Sequence, residues 1–523
     1  MKRISSLLLL FVATTFTTAV VAAERPRLVV NIVVSSMRAG DPDRYAAHFT
    51  EGGFNRLTRG GAFYTEGRYD FRQTFTPVTL TTFSTGAQPS MHGVVSDSWY
   101  DYSTMLPVSL TDGIQGDGGY HLISSTLAET LRLHSPESRT FTLAMDPASA
   151  ITLGGRTGNI YWINSEVCEW VTSPYYTTEP LQWVKQYNRE GGNIGHLLAS
   201  WKQLIDPAHY LNTRYEDIRI VVDAKRGTTK AGKGRITPRT YYERLRYTPA
   251  GNSAVLGFAK QAVLKEELGK DATPDLLNIC LDASRCLTET YGPESIEVED
   301  MYYRLDRDLE EFLAFLDKEV GKEHVVVLLT SDHGTSTSYD LGKEESERFR
   351  PMQFRVIANG FLNMRYGSGN WILGFRNGSL YLDHNLIYER NLNLSEVQNE
   401  LAIFAMQFSG VSHALSATAL RSTYFGGGYA RRIQNSYYPR RSGDVILNLQ
   451  PGWIEERDNV RSLSGSMYGY DTQVPIILYG TGIAPQRIDR EVDMTSAAPT
   501  LARLLGIPEP EASEGTPLKE ITD

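Results

Sequence analysis

Residues 325–334 read VVVLLTSDHG, and this stretch indicates both the fold class and a candidate site. Five apolar residues, 325–329, run without a polar interruption, which predicts a β-strand covered on both faces. Asp332 and His333 follow at the carboxyl end of that strand, where open parallel sheets place their ligand sites. A carboxylate and an imidazole are both metal ligands, so the pair predicts half of a metal site. The alternative is an aspartate that caps the next turn beside a locally packed histidine.

Strands and helices alternate along the chain. Further predicted strands occupy residues 27–36, 275–281, 371–381, 444–449 and 474–479. The stretch 371–381 is predicted as a strand pair that turns at Asn377 and Gly378. Residues 298–316 carry an apolar stripe at helical spacing and lead into the strand at 325. This alternation predicts an α/β fold with a mostly parallel central sheet and helices on both faces.

The composition argues against general nucleic-acid binding and against a disulfide framework. The 523 residues carry a net charge of −9 and 41% apolar residues, so a sizeable core is expected and general attraction to nucleic acid is not. The three cysteines, Cys168, Cys280 and Cys286, are too few for a disulfide framework. They are predicted as buried free thiols, with a local Cys280–Cys286 pair as the alternative.

The amino terminus predicts export. Residues 1–23 combine Lys2 and Arg3 with an apolar run and a small-residue end, which is typical of a secretory signal peptide. No later run reaches the ~18 apolar residues of a membrane helix, so no membrane span is expected and the protein is predicted to be periplasmic or secreted.

The basic stretch 225–235 only partly matches a phosphate-binding loop, because Gly234 stands where a hydroxyl residue would hold magnesium, and it is predicted as a surface loop.

Several long motifs, taken in order, resemble a known family. They are RLVVNIVVSSMR from residue 27, PSMHG from 89, GPESIEVEDMYYRLDRDL from 292, LLTSDHG from 328, RRSGDVILNLQPGW from 440 and YGYDTQVPIILYG from 468. The chain resembles the alkaline phosphatase superfamily, in the branch of the phosphate-irrepressible alkaline phosphatases and the type I phosphodiesterase/nucleotide pyrophosphatases. The resemblance implies one alkaline phosphatase-like domain over residues 24–520, with cap insertions at roughly 150–260 and 365–440.

The same resemblance implies a threonine or serine nucleophile between two zinc ions, which lower its pKa and clamp the phosphoryl oxygens. Thr76 falls at the nucleophile position. Asp332 and His333 match two ligands of the zinc on the nucleophile side.

The other family positions carry different residues. Ser35 replaces an aspartate ligand of the nucleophile-side zinc, and Ser464 replaces the late histidine ligand of the second zinc. Arg285 and Glu289 replace the aspartate and histidine of the second zinc. The phosphate-contacting asparagine becomes Asp97, and the lysine and arginine pair becomes Asp146 and Ala148.

Alternative alignments do not restore the second zinc site. None of the ten histidines lies between residues 280 and 300 or after residue 413, so no shift of register supplies the late ligand. Asp282, three positions before Arg285, is the one alternative for the lost aspartate. At most one zinc is therefore expected, and Arg285 is expected to pair with Asp332, Glu289 or Asp97.

These replacements favour a pseudoenzyme that uses the phosphatase fold to bind or scaffold an unknown protein or small-molecule ligand. The alternative is a hydrolase of phosphate or sulfate esters with a single-metal site and Thr76 as nucleophile. A structural subunit of a surface assembly is a third interpretation.

Overall fold

The computed structural model describes residues 25–195, 201–212, 237–338, 348–457 and 460–522. The predicted signal peptide and the basic stretch 225–235 lie outside these residues. A nine-stranded sheet forms the centre of the described chain.

The described strands are, in chain order, β1 (Leu28–Val34), β2 (Ala62–Arg68), β3 (Ser98–Asp101), β4 (Leu106–Ser109), β5 (Thr140–Ala144), β6 (Asn159–Ile163), β7 (Trp170–Val171), β8 (Asp275–Leu281), β9 (Val325–Thr330), β10 (Arg348–Phe349), β11 (Ile372–Arg376), β12 (Ser379–Leu382), β13 (Val411–Ser416), β14 (Val445–Leu449), β15 (Ile454–Glu455), β16 (Gln473–Gly480) and β17 (Gln486–Asp493). The central sheet has the order β17-β2-β16-β9-β1-β8-β5-β6-β7. The five strands from β9 to β6 run parallel, while β16 is antiparallel to both of its neighbours. The prediction of a mostly parallel α/β sheet is confirmed.

Some helices cover both faces of this sheet, and others pack on a second, smaller sheet. They span Asp41–Arg44, Phe54–Gly60, Thr76–Thr85, Pro89–His92, Leu127–His134, Pro147–Gly154, Gln182–Arg189, Gly192–Gly195, Pro238–Arg246, Ala250–Lys265, Asp282–Tyr291, Ile296–Glu319, Pro351–Tyr366, His384–Glu389, Leu394–Ala405, Ala417–Ser422, Gly428–Asn435, Gly469–Thr472, Ala497–Leu505 and Lys519–Thr522. Alternate residues of β9 enter opposite cores: Val325, Val327 and Leu329 pack on one side, and Val326 and Leu328 on the other. The uninterrupted apolar run is therefore explained by burial on both faces, as predicted.

A second, antiparallel sheet has the order β11-β12-β14-β13 and a core of its own. The predicted turn joins β11 to β12, with Asn377 at φ +46 and Gly378 at φ +74, as a tight hairpin requires.

Part of the insertion expected at roughly 150–260 contributes strands to the central sheet. Strands β6 and β7 pair within the central sheet, so residues 159–171 are part of the main fold. Trp162 and Trp170 of these strands are buried.

The expectation for the cysteines is met within the described residues. All three cysteines are buried free thiols. No described helix is both long and apolar enough to cross a membrane.

Candidate active-site cleft

The sheet brings the candidate residues together because parallel neighbours end at the same edge. Ser35 follows β1 and Asp332 follows its neighbour β9. Thr76 begins the helix Thr76–Thr85, directly opposite these strand ends. Its Oγ1 donates to Asp332 Oδ2 at 2.7 Å and lies 3.2 Å from His333 Nε2. The sequence prediction that Thr76, Asp332 and His333 share one site is consistent with this geometry.

Asp332 is fully buried and its oxygens are occupied by the protein. Oδ2 accepts from Ser35 Oγ at 3.0 Å in addition to Thr76. Oδ1 accepts from the backbone N–H groups of Ser36 at 2.9 Å and His333 at 2.8 Å. Ser36 has φ +64, a conformation that few residues other than glycine adopt and that accompanies its N–H bond to the carboxylate. These bonds satisfy Asp332 without a cation.

His333 is likewise held by hydrogen bonds. Its Nδ1 lies 2.7 Å from the carbonyl oxygen of Gly334, which can only accept, so Nδ1 carries the proton. Its Nε2 lies 3.3 Å from Ser464 Oγ and 3.3 Å from Asp332 Oδ2. The Ser464 hydroxyl therefore meets the nitrogen that a metal would otherwise use.

Arg285 and Glu289 stand one turn apart on the helix Asp282–Tyr291. Arg285 Nη1 lies 3.6 Å from Glu289 Oε1, and the two side chains are 18% and 21% exposed. Among the described residues, Arg285 Nε has no hydrogen-bond partner. Of the three partners expected for Arg285, which were Asp332, Glu289 or Asp97, the described residues show the pair with Glu289. The i,i+4 spacing explains why Glu289 is the partner.

Asp282, the alternative for the lost aspartate, is hydrogen-bonded to neighbouring protein groups. It is buried, and its carboxylate accepts from Ser149 Oγ at 2.6 Å and from the backbone N–H groups of Met145 and Asp146 at 2.9 and 3.1 Å. Burial, and next the nearby carboxylate of Asp146, raise the pKa of Asp282 to about 6. Asp282 therefore fixes the turn between β5 and the following helix.

The remaining predicted positions line a cleft of about 460 Å³. Its walls include Thr76, Asp97, Asp146, Ala148, Arg285, Glu289 and Ser464. Asp146 caps the helix Pro147–Gly154 by accepting from the N–H of Ala148 at 2.9 Å. Asp97 Oδ1 accepts from Ser96 Oγ at 2.9 Å and Asn377 Nδ2 at 3.2 Å. These predicted positions therefore lie around one cleft, with Asp97 and Asp146 among its walls.

Comparison with known proteins identifies the family. The sequence model of the type I phosphodiesterase / nucleotide pyrophosphatase family matches residues 29–471. The chain belongs to this family.

Two relatives match over nearly their whole length. A protein named calcium-transporting ATPase from Myroides odoratus is 29% identical over 535 residues, covering 97% of each chain. Alkaline phosphatase PafA from Elizabethkingia meningoseptica is 28% identical over 528 residues, covering 96% of this chain and 95% of the relative. A crystal structure of wild-type PafA matches with a TM-score of 0.87 at 27% identity, covering 96% of this chain and all of that one.

The resemblance implies two zinc ions, and the residues at the second site do not fit a zinc ion. A guanidinium repels a cation, and Glu289 alone offers too few ligands, since zinc requires three or four. Within the described ranges, no cluster of three or more histidine, cysteine, aspartate or glutamate side chains could hold a metal ion. On the nucleophile side, Ser35 contributes a neutral hydroxyl where the resemblance implies an acid, and at the second site Ser464 stands in place of the late histidine.

Sequence reasoning missed a recess that adjoins the cleft. Phe75, Leu463 and Ser464 line both. Arg72 and Asp471 also line the recess, although 399 positions separate them in the chain. Asp471 belongs to the motif YGYDT, so a motif marked its position, while nothing in the sequence marked Arg72.

Proposed function

We propose that this family member is an exported binding or scaffold protein without two-zinc phosphatase chemistry. The observation that carries the proposal is the Arg285–Glu289 ion pair at the positions where the resemblance implies the second zinc. Without that metal, a transferred phosphoryl group lacks most of the charge that stabilises its transition state.

Two carboxylates on the cleft walls support the same proposal. Asp97 and Asp146 stand where the family implies an asparagine and a lysine. At ~4 Å and an effective dielectric near 20, each carboxylate would repel a negative charge by about 4 kcal/mol. A phosphate dianion is therefore a poor ligand for these walls.

The test combines metal analysis with hydrolysis assays. Protein purified without chelator should contain less than about one zinc per chain. Aryl phosphate and diester hydrolysis in added zinc should stay at background, and Thr76→Ala should change nothing. Thr81→Ala, on the same helix but outside the cleft lining, is the matched control. Two zinc ions per chain would overturn the proposal.

One geometric observation favours a second candidate. Thr76 Oγ1 lies within hydrogen-bond distance of both Asp332 and His333, so the nucleophile side is intact as a group. A hydrolase of phosphate or sulfate esters with one metal would use it. Zinc-dependent hydrolysis that disappears in Thr76→Ala but persists in Thr81→Ala would establish this alternative.

Export is proposed from residues 1–23 and has its own test. Cleavage after Ala23 would leave Glu24 as the first residue. Intact-mass measurement of the protein from a periplasmic or secreted fraction should give that start. A cytoplasmic protein that retains residues 1–23 would contradict it.

A further inference from the structure

The helix Pro351–Tyr366 is apolar on its outward face as well as on its inward one. Three buried side chains pack in the core of the second sheet: Phe354, Ala358 and Leu362. Four large apolar side chains are exposed: Met352 (66%), Val356 (63%), Ile357 (41%) and Met364 (85%). Each of the other described helices exposes at most one such side chain. A surface helix normally carries polar residues on its outward face, so this face has the pattern of a covered one.

The neighbouring helix Leu394–Ala405 extends this surface. The rings of Phe361 and Phe404 stack between the two helices, with centroids 4.3 Å apart and planes 8° apart. Ile403, next to Phe404 in the chain, is 59% exposed. Met352, Val356, Ile357, Gly360, Met364 and Ile403 together are called the apolar face. It is about 18 Å long from residue 352 to residue 364 and roughly 20 Å wide across two helices, or roughly 350 Å². Patches of this size on a protein surface are often interaction sites.

The charges beside the apolar face do not favour a lipid surface. The helix Pro351–Tyr366 contains two arginines and no lysine. Arg365 donates to both carboxylate oxygens of Glu400 at 2.9 and 3.0 Å, and Glu400 also accepts from the hydroxyl of Tyr366 at 2.7 Å. Helices that lie on membranes surround their apolar residues with free lysine and arginine, and a net charge of −9 is repelled by anionic lipid. A protein partner therefore fits this face better.

The glycine at the centre of the stripe makes the apolar face complementary to itself. Met352, Val356, Gly360 and Met364 follow one another at intervals of four residues. An added Cβ at Gly360 would meet no atom within 4 Å, so the centre of the stripe is an open notch. Rows with this spacing interdigitate when two helices cross at about −50°. If two copies cross at Gly360 on a two-fold axis, Val356 of one copy faces Met364 of the other.

We propose that the apolar face is the contact of a two-fold symmetric homodimer in which two copies of the helix Pro351–Tyr366 cross at Gly360. A specific interface buries about 800 Å² on each partner, as an apolar core inside a polar rim. The apolar face supplies a core of suitable size, and exposed Gln353, Asn399 and Gln407 supply polar groups near it. Because the core is small, the dimer has a Kd on the order of micromolar. The proposal does not depend on the chemistry of the cleft.

Sedimentation velocity of the whole protein from about 1 to 100 μM tests the dimer. The dimer fraction should rise with concentration. Val356→Glu should raise the dimer Kd by about tenfold or more, because the two-fold axis buries the added charge twice without a partner. Val356→Ile keeps the position apolar and should retain the dimer. Leu133→Glu, at a 75% exposed position on the helix Leu127–His134, is the control elsewhere and should also retain it. Circular dichroism checks that each variant is folded.

Cross-linking tests the position of the axis. The three native cysteines are buried, so an introduced thiol reacts on its own. Gly360→Cys should give a disulfide-linked dimer under mild oxidation, since the axis brings the two Cα atoms within the ~7 Å that a disulfide spans. Met364→Cys should link less, because Met364 faces Val356 of the other copy, and Leu133→Cys should not link.

Three results would overturn the proposal. They are a monomer at every concentration, a dimer that Val356→Glu leaves unchanged, and cross-linking of Gly360→Cys no faster than that of Leu133→Cys. Vesicles of phosphatidylcholine and phosphatidylglycerol test the other occupant by co-sedimentation. Vesicle binding that disappears in Val356→Glu, with the protein monomeric in their absence, would assign the apolar face to lipid.

Discussion

Arg285 places a positive charge on a cleft wall that otherwise carries Glu289 and Asp146. Arg285→Ala should lower the free energy of unfolding by about 1–3 kcal/mol, below the 3–5 kcal/mol of a fully buried pair because these side chains keep some exposure. Urea unfolding measures the change. Arg487→Ala, which removes an exposed pair with Asp43, is the control and should cost no more than about 1 kcal/mol.

The pH dependence of that loss follows from Asp282. Its pKa of about 6 is raised by burial and by Asp146, and Arg285 opposes the rise. Without Arg285, the pKa of Asp282 in the folded state should rise further. The unfolded state then loses this proton at a lower pH than the folded state, so the fold loses stability as pH increases. The deficit of Arg285→Ala should therefore be larger at pH 8 than at pH 5. A deficit independent of pH would show that Arg285 does not act on this carboxylate.

Asp471 gives an independent pH prediction. Burial raises its pKa to about 7, although the bonds from Ser466 oppose the rise. A carboxyl whose pKa is higher in the folded state stabilises the fold less as pH rises from about 4 to 7. The asparagine in Asp471→Asn does not titrate. The free energy of unfolding of this variant, relative to that of the wild type, should therefore increase over this pH range by up to about 4 kcal/mol, at roughly 1.4 kcal/mol per pKa unit. Parallel urea titrations at pH 4, 5.5 and 7 check it, and a constant difference contradicts it.

At the scale of elements, the β11–β12 hairpin connects the second sheet to the recess. Gly378 has φ +74, and an added Cβ would lie 2.0 Å from a guanidinium nitrogen of Arg72. Gly378→Ala should therefore lower the free energy of unfolding by about 1–3 kcal/mol, through strain and through displacement of Arg72. Thermal and urea unfolding measure it.

Gly360 provides the matched control. It lies within the helix Pro351–Tyr366, and an added Cβ meets no atom within 4 Å. Gly360→Ala should stabilise the protein by about 0.4–1 kcal/mol, because alanine loses less backbone entropy in a helix. If both substitutions changed stability equally, the backbone argument for Gly378 would be wrong.

The sequence predicted elements well where local patterns determine them. The apolar run at 325–329, the Asn377-Gly378 turn and the stripe at 298–316 each became the expected element. The sequence did not identify residues 159–171 as strands of the central sheet, because pairing at a sheet edge depends on distant segments and not on a local pattern. For the site, ordered motifs located the cleft, but the partners of Asp332 depend on the close approach of β1, β9 and the helix Thr76–Thr85. The Arg72–Asp471 recess depends on a contact between distant segments that local patterns do not report.

At the scale of the whole molecule, the fold should keep the geometry for metal even where the ligands differ. Ser35 and Asp332 follow adjacent parallel strands, and Ser464 contacts His333, so restored side chains should converge on the cleft. We expect the variant Ser35→Asp, Arg285→Asp, Glu289→His and Ser464→His to bind about two zinc ions, since each site regains the three or four ligands zinc requires.

Zinc should then stabilise the restored variant and leave the wild type unchanged. A ligand that binds only the folded state adds about 2.7 kcal/mol at a hundredfold excess over its Kd, so the melting temperature of the variant should rise with added zinc. Ser35→Asp alone, which repairs only the nucleophile side, should bind at most about one ion. Elemental analysis and thermal melts with and without zinc decide between these outcomes. A folded quadruple variant that binds no zinc would show that the cleft has lost the geometry as well as the ligands. If added zinc raised the melting temperature of the wild type as far as that of the variant, the residues Ser35, Arg285, Glu289 and Ser464 would not prevent metal binding.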